Sequence, residues 1–327
     1  MYLKIKNLTN WRFWYKFFGV AMVITFIILD YGHIINTMRN ATLETGFTGW
    51  EIFGPGEELL VLGQDFLGFT LFYMGYFTFQ TNIFVLVWFI TSIVKFNFKP
   101  NIKGHKSFIL SRTSTLMITV FITITGIIFN AVLLPVGLSG AETIDVWNMI
   151  IVQEIGHGIV PLMMLLYTLF CDNRIYQKTN WSRFFARDIS IGIVYLIIYL
   201  TFGLIRGGIV YASLEGVNLV IDGQTINGAN EYISHFNIRA YQYFFLNVND
   251  PLGQIMLPIT VVSIIAIIMG IGCWLHISMN RHSWKLSDPT NYKTAMAEMK
   301  TSKTKEKIEK KQQKALNKKE KIKKQED

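Results

Sequence analysis

The sequence has few charged residues and very few cysteines. Of its 327 residues, 16% are Asp, Glu, Lys or Arg and 51% are hydrophobic, whereas a soluble domain is about 25% charged. Of the 31 Lys and Arg residues, 15 lie between Arg281 and Lys324, which leaves the rest of the chain more apolar than a soluble protein tolerates. The shortage of charge excludes a soluble enzyme and a disordered chain, and two cysteines exclude a disulfide scaffold. An integral membrane protein with a basic tail is predicted.

Six apolar runs are long enough to cross a membrane, since a transmembrane helix needs about 20 mostly apolar residues. The runs are 17–34, 67–94, 113–138, 150–170, 189–211 and 254–277. The predicted fold class is therefore all-α, a polytopic membrane protein with a bundle of six transmembrane helices. We predict a transmembrane domain over residues 1–280 and a Lys-rich tail, partly helical or disordered, over 281–327.

The distribution of charge predicts the orientation of the bundle. The two termini and the loops on their side hold 28 of the 31 basic residues, and the other side holds only Arg39, Arg206 and Arg239. That second side, which we call the acidic side, carries 13 acidic residues when Asp30 and Glu154 are included. By the positive-inside rule, both termini are cytoplasmic, and the cell (cytoplasmic) membrane is the expected location.

The net charge of +9 therefore reflects membrane orientation and argues against a nucleic-acid partner. From residue 293 onward the tail has neither arginine nor aromatic residues, which base readout would use. We expect the tail to lie near anionic lipid headgroups. On the acidic side, the long loop 212–253 has a turn signal at Asp222-Gly223-Gln224 between two apolar runs, which predicts a small hairpin or a lid.

Polar side chains cluster within three of the apolar runs. They are Thr78, Thr81 and Asn82 in the second run, Asn130 in the third, and Gln153, Glu154 and His157 in the fourth. On a helix, Thr78, Thr81 and Asn82 share one face, and so do Gln153, Glu154 and His157. Ionisable groups in a span are costly and therefore informative. One polar pocket between the second and fourth spans is predicted, which Asn130 joins if the third span presents it there.

This cluster can supply nucleophilic catalysis. A hydroxyl from Thr78 or Thr81 can attack an ester or amide while His157 takes the proton. Asn82 and Asn130, with Thr81, Gln153 and Glu154, are candidates for substrate binding or for stabilising the oxyanion. The alternative is that Thr and Asn side chains only hold helices together.

Metal chemistry is disfavoured by the spacing of the histidines. His33, His157 and His235 are all expected on the acidic side, but no H-x-x-x-H pair fixes two ligands on one helix. We predict no metal site and no cofactor.

Three short motifs follow one another along the chain: Tyr76-Phe-Thr-Phe79, Gly156-His-Gly-Ile-Val-Pro-Leu162 and Tyr243-Phe-Phe-Leu-Asn247. They resemble, in the same order, motifs of the androgen-induced membrane hydrolase family, six-span threonine hydrolases of fatty acid esters of hydroxy fatty acids. A wider set of bacterial six-span proteins is similar over about residues 14–280. The resemblance implies a six-helix fold, with the nucleophile at Thr78 and the histidine at His157.

The expected function is therefore hydrolysis of lipid (fatty-acyl) esters in the membrane, with membrane lipids as partners. The alternative is a non-enzymatic lipid- or solute-binding protein or transporter that uses the same polar pocket. A third possibility is a purely structural or partner-anchoring role, in which the Lys-rich tail is the functional segment. No internal repeat is evident, and the middles of most spans carry no charge, which argues against a repeat-built or ion-coupled transporter.

Overall fold

The computed structural model describes residues 10–40, 49–53, 61–95, 107–139, 146–172, 179–216, 218–221, 224–235 and 238–287, with scattered positions between 294 and 313. The chain forms two compact units, residues 1–172 with 180–276, and residues 173–179 with 277–327. Within the second unit, the Asn280 amide donates to the Thr179 carbonyl at 2.9 Å. Most of the predicted Lys-rich tail lies outside the described residues.

Helices dominate the described chain. They are α1 (Trp11–Arg39), α2 (Phe66–Met74), α3 (Phe77–Ile93), α4 (Arg112–Leu133), α5 (Ile150–Cys171), α6 (Trp181–Ser213), α7 (Gly228–His235) and α8 (Pro251–Ser287). A short helix, Leu134–Ser139, follows α4, and a π-helical segment, Val146–Val152, leads into α5. Five helices are long and apolar enough to cross a membrane, or six if the bent pair α2 and α3 is one span. The all-helical character is confirmed.

The second apolar run, predicted as one span over residues 67–94, is interrupted by a break and forms two helices. The axes of α2 and α3 differ by 68°. Between them, Gly75 closes α2 with a tight turn, and Tyr76 is extended (φ −68°, ψ 135°). The side chain of Gln242 fills the space beside Gly75, because a Cβ placed there would lie 2.5 Å from its Nε2 atom. The break puts Thr78 in the first turn of α3.

Three of the long helices contain π-helical turns, which occur often at functional sites. The turns are Phe129–Leu133 in α4, Ile155–Ile159 and Tyr167–Cys171 in α5, and Phe184–Ile189 in α6. In α5 the first of these turns is followed at once by Pro161. Two irregularities therefore occur within one helix, close to His157.

The centre of the first unit is a buried cluster contributed by α1, α3, α4 and α5. Its members include Val23, Trp88, Ile122 and Met164, each without exposed surface. The Trp88 indole donates to the Thr115 hydroxyl at 3.0 Å, so its polar atom is satisfied. In lipid, such helices associate through close packing and interhelical hydrogen bonds rather than by removing apolar surface from water.

Two antiparallel hairpins lie in loops that the sequence assigns to the acidic side. Strands β3 (Asn218–Ile221) and β4 (Gln224–Asn227) pair within the loop for which a hairpin was predicted, and that prediction is confirmed. Residues 222 and 223 of its turn lie outside the described residues. Strands β1 (Glu51–Phe53) and β2 (Val61–Gln64) form the other hairpin, which the sequence did not predict.

A buried polar network joins α4, α6 and α8 at the end of the unit where α4 begins. The Arg112 guanidinium donates to Asp188 Oδ2 at 3.0 Å and to His276 Nδ1 at 3.1 Å. Asp188 also accepts from the Thr113 hydroxyl at 2.6 Å and from Arg187 at 2.9 Å. Because a guanidinium only donates, His276 Nδ1 must accept, and the ring is neutral. These hydrogen bonds connect the three helices at this end of the unit.

Candidate active site

Thr78 and His157, which the sequence paired, are in contact in the structure. The distance between Thr78 Oγ1 and His157 Nε2 is 3.1 Å. Thr78 is half-buried in the first turn of α3, and His157 lies in the π turn of α5 with 7% of its surface exposed. The imidazole stacks on Phe129, with a centroid distance of 3.9 Å, and meets Phe26 edge-on at 5.7 Å. Two aromatic rings therefore fix the plane of the imidazole.

The partner of the other ring nitrogen defines the tautomer of His157. Nδ1 lies 2.9 Å from the backbone carbonyl oxygen of Gln153. A carbonyl can only accept, so Nδ1 carries the proton, and Nε2 presents its lone pair to Thr78. The hydroxyl of Thr78 therefore donates to a nitrogen that is able to take its proton.

The helix that carries His157 has lost two of its internal hydrogen bonds. The Val160 N–H donates to Ile155, five residues back, rather than to Gly156. Pro161 has no N–H, so the carbonyl of His157 loses its usual partner four residues on. Two buried carbonyls consequently need donors from elsewhere, because an unsatisfied one costs about 1–3 kcal/mol.

The two predicted asparagines supply those donors. The Asn82 amide donates to Gly156 O at 3.1 Å, and the Asn130 amide donates to His157 O at 3.3 Å. Each amide nitrogen also donates within its own helix, Asn82 to Thr78 O at 3.0 Å and Asn130 to Gly126 O at 3.0 Å. Both hydrogens of each amide are thus directed at backbone carbonyls. These bonds favour a positioning role over the predicted oxyanion role.

The other predicted residues differ in their relation to the pair. The Thr81 hydroxyl donates to Thr78 O at 3.0 Å and lies 2.9 Å from the hydroxyl of Thr125, so it links α3 to α4. Gln153 contacts His157 through its carbonyl, while its side chain points to α1. Glu154 is half-exposed, with its carboxylate beside Gly158 of the same helix. The structure therefore does not bring Glu154 to Thr78 and His157.

Asp30 belongs to the same region, although the sequence did not place it in the site. Its carboxylate accepts from the Tyr73 hydroxyl at 2.6 Å and from the Gln153 side chain at 2.5 Å. These bonds tie α1 to α2 and to the helix that carries His157. The signal was visible in the sequence, since a carboxylate within an apolar run needs such partners.

Tyr243 is the second residue that the sequence missed. Its phenol lies near the Thr78 hydroxyl, and its ring centroid is 5.8 Å from that of Tyr76. Burial raises the pKa of the Tyr243 phenol above its usual range, so the group stays protonated. It is the first residue of the motif Tyr243–Asn247, which carried part of the family resemblance. The motif therefore indicates the position of Tyr243, but it does not predict that Tyr243 lies near Thr78.

The start of α3 offers backbone donors beside Thr78. The first N–H groups of a helix have no partner within it, and together they form its positive end. The residue that precedes the helix, Tyr76, does not cap them with its side chain. The Gln80 N–H is the first to bond back, to Tyr76 O at 3.1 Å. The N–H groups of Thr78 and Phe79 thus precede the regular helical bonds, next to the hydroxyl.

Within the described residues, no three His, Cys, Asp or Glu side chains are grouped so that they could hold a metal ion. His33, His157 and His235 are therefore not gathered into one site. No protein-family model, curated protein or solved structure matches the chain. The family resemblance stays an expectation, and the functional conclusion rests on the geometry of Thr78 and His157.

Proposed function

We propose that the protein is an integral membrane hydrolase of lipid (fatty-acyl) esters, with Thr78 as the nucleophile and His157 as the general base. The observation that carries the proposal is the 3.1 Å contact between Thr78 Oγ1 and His157 Nε2. It is supported by the bond from Nδ1 to Gln153 O, which gives Nε2 the lone pair that a base requires. An apolar helical scaffold suits a substrate that arrives from lipid.

In the first half-reaction, Thr78 Oγ1 attacks the ester carbonyl carbon and passes its proton to His157 Nε2. The carbonyl oxygen becomes an oxyanion, and the N–H groups of Thr78 and Phe79 at the start of α3 are the backbone donors that we assign to it. The bond to the alcohol oxygen then breaks, and the alcohol leaves with the proton from Nε2. An acyl-threonine and a neutral histidine remain.

In the second half-reaction, water attacks the acyl-threonine and gives its proton to His157 Nε2. The bond between the acyl carbon and Thr78 Oγ1 breaks, the fatty acid is released, and the proton returns to Thr78. Tyr243, which stays protonated, can donate to the threonine oxygen while this bond breaks. Asn82 and Asn130 hold the π turn of α5 throughout, so His157 keeps its position.

Labelling with a fluorophosphonate probe tests the nucleophile. We expect the wild-type protein to be labelled, and Thr78→Ala and His157→Ala to lose the labelling. Thr123→Ala is the matched control, because among the described residues this half-buried threonine bonds only to the carbonyl one turn back, at 2.6 Å. Labelling that persists in Thr78→Ala, or none in a well-folded wild type, contradicts the proposal. The second outcome favours the non-enzymatic lipid- or solute-binding protein or transporter.

We also propose that the chain crosses the cytoplasmic membrane six times with both termini inside. The segregation of 28 basic residues to one side supports this arrangement. In a variant without Cys171 and Cys273, a membrane-impermeant maleimide should label Asn249→Cys in intact cells. It should label Gln313→Cys, in the tail that we place near anionic lipids, only after permeabilisation. The reverse pattern contradicts the orientation.

A further inference from the structure

Loop 238–246 brings two guanidinium groups to the break between α2 and α3. Arg206 of α6 donates to Ala240 O of this loop at 2.6 Å, and its guanidinium lies 4.6 Å from the centroid of the Phe72 ring. Arg239 of the loop interacts with the phenol of Tyr76, the residue at the break. Three separate segments therefore place two positive charges around one point.

These two charges are exceptional on this side of the molecule. The acidic side has only three basic residues, and the third, Arg39, lies at the end of α1. Neither Arg206 nor Arg239 forms a salt bridge with an Asp or Glu among the described residues. An arginine within a transmembrane helix is costly and points to a function. No carboxylate of the described residues is paired with either guanidinium, so both remain able to bind an anionic ligand.

A buried amide lies at the same point. Gln242 is 6% exposed, and neither Nε2 nor Oε1 has a hydrogen-bond partner among the described residues. Its side chain fits against two helices where glycine leaves room, Gly75 at the break and Gly203 of α6. A buried amide without partners is unfavourable in the unliganded protein, and a polar ligand would relieve that penalty.

This cluster adjoins the candidate nucleophile. Tyr243 follows Gln242 in the chain, and its phenol lies near the hydroxyl of Thr78. Its ring packs edge-on against Tyr76, the residue that interacts with Arg239. A ligand held by Arg206, Arg239 and Gln242 is therefore separated from Thr78 by one layer of tyrosine side chains.

We propose that Arg206, Arg239 and Gln242 form a subsite for an anionic group of the ester substrate, a phosphate or a carboxylate. The inference rests on the proposed hydrolase function and adds that the preferred substrate is an anionic acyl ester. The guanidinium groups bind two or more oxygens of the anion, which is the recognition that arginine provides. The Gln242 amide donates one further hydrogen bond. The acyl carbonyl of the same molecule then lies toward Thr78.

The test compares three esters with the same acyl chain, using the full-length protein in lipid nanodiscs. One alcohol is neutral glycerol, one carries a phosphate and one carries a carboxylate. We expect kcat/KM to be at least about tenfold higher for one or both anionic esters, which corresponds to about 1.4 kcal/mol. The better anionic ester identifies the source of the anion. Equal values for the three esters overturn the subsite.

Arg239→Gln and Gln242→Leu should each reduce the ratio of the anionic to the neutral kcat/KM by about tenfold, mainly through KM. Arg39→Gln is the matched control, since it removes the other arginine of the acidic side and should keep the ratio. An equal loss in Arg39→Gln would mean that general surface charge, and not this subsite, selects the anion.

A binding measurement separates failure of the subsite from failure of the hydrolase proposal. The probe is a dialkyl-ether phosphatidic acid, which has no ester to cleave, with a dialkyl-ether glycerol as the neutral partner. We expect tryptophan fluorescence to report at least tenfold tighter binding of the phosphate-bearing ether, reduced by Arg239→Gln. If no ester is hydrolysed but this preference holds, the hydrolase function fails and the anion subsite stands. If neither ether is preferred, the subsite is wrong.

Discussion

Two buried histidines in this protein have similar surroundings and different partners. His157 is 7% exposed and lies against Phe129 and Phe26, while His276 is 2% exposed and lies against Trp181 and Phe184. The Nε2 atom of His157 faces a half-buried threonine hydroxyl. The Nδ1 atom of His276 accepts from Arg112, whose charge is balanced by Asp188.

The partner of the ring nitrogen, and not the degree of burial, separates the two sites. The bond from Arg112 occupies the Nδ1 lone pair of His276, so a proton can reach that nitrogen only if the ion-pair network opens. The lone pair of His157 meets a hydroxyl, which can release a proton to it and recover it. We therefore propose that His276 belongs to the scaffold and that His157 takes part in the reaction.

The largest expected effect is the loss of ester hydrolysis in His157→Ala. Removing the base of a nucleophile pair lowers kcat on the order of 10³-fold or more. His276→Ala should lower kcat by less than about tenfold, because its ring has no part in the proton transfer. Initial rates at equal concentrations of folded protein check both. If both variants lose activity equally, the contrast between the two histidines fails.

The second effect concerns stability at the His276 network. Asp188→Ala leaves the buried Arg112 without its counter-ion, which should destabilise the protein by about 3–5 kcal/mol. The double variant Arg112→Met with Asp188→Leu removes both charges and should recover most of that loss. Thermal unfolding in detergent measures both. A double variant as unstable as the single one would show that the ion pair itself, and not the isolated charge, determines stability.

A smaller effect is expected from Asn130→Ala. The carbonyl of His157 loses its donor, which should lower the unfolding free energy by about 1–2 kcal/mol. The rate should fall roughly tenfold, because the π turn that orients the imidazole relaxes. Asn36→Ala, at an exposed position on α1, serves as the control. Unchanged kinetics in Asn130→Ala would separate this asparagine from the positioning of His157.

The smallest effect is expected from Gln153→Leu. The bond to His157 comes from the backbone carbonyl of this residue, so the substitution removes only the side-chain bond to Asp30. We expect kcat to fall by no more than about fivefold, since the removed contact does not involve the imidazole of His157 directly. A loss above about 100-fold would mean that Asp30 acts on His157 as a triad carboxylate does.

The sequence predicted the helices, one hairpin and the contact between Thr78 and His157. These predictions depend on local signals, namely apolar runs, a turn between two short apolar segments, and the similar depth of two polar positions. The role of Asn130 could also have been predicted from the sequence. Pro161 follows His157 by four residues, so a free carbonyl, and therefore a donor from another helix, could have been expected.

The break at Gly75 and Tyr76 could not be predicted in the same way. The break lies against Gln242, which comes from a distant loop and fills the space beside Gly75. The network around Asp188 was missed for a related reason. Arg112 is one of the 28 basic residues assigned to the termini and the loops on their side, and only the packing of α4, α6 and α8 shows that it is buried.

Two glycines near the site have a consequence for the evolution of this protein. A Cβ at Gly126 would lie 2.9 Å from the carbonyl oxygen of His157, and one at Gly156 would lie 2.6 Å from the ring of Phe26. Neither residue has a side chain that could take part in a reaction. Both positions should nevertheless resist replacement in any descendant that keeps the site, because even a methyl group displaces the histidine. We therefore expect Gly126 and Gly156 to be conserved together with the proposed catalytic pair, although neither glycine takes part in the reaction.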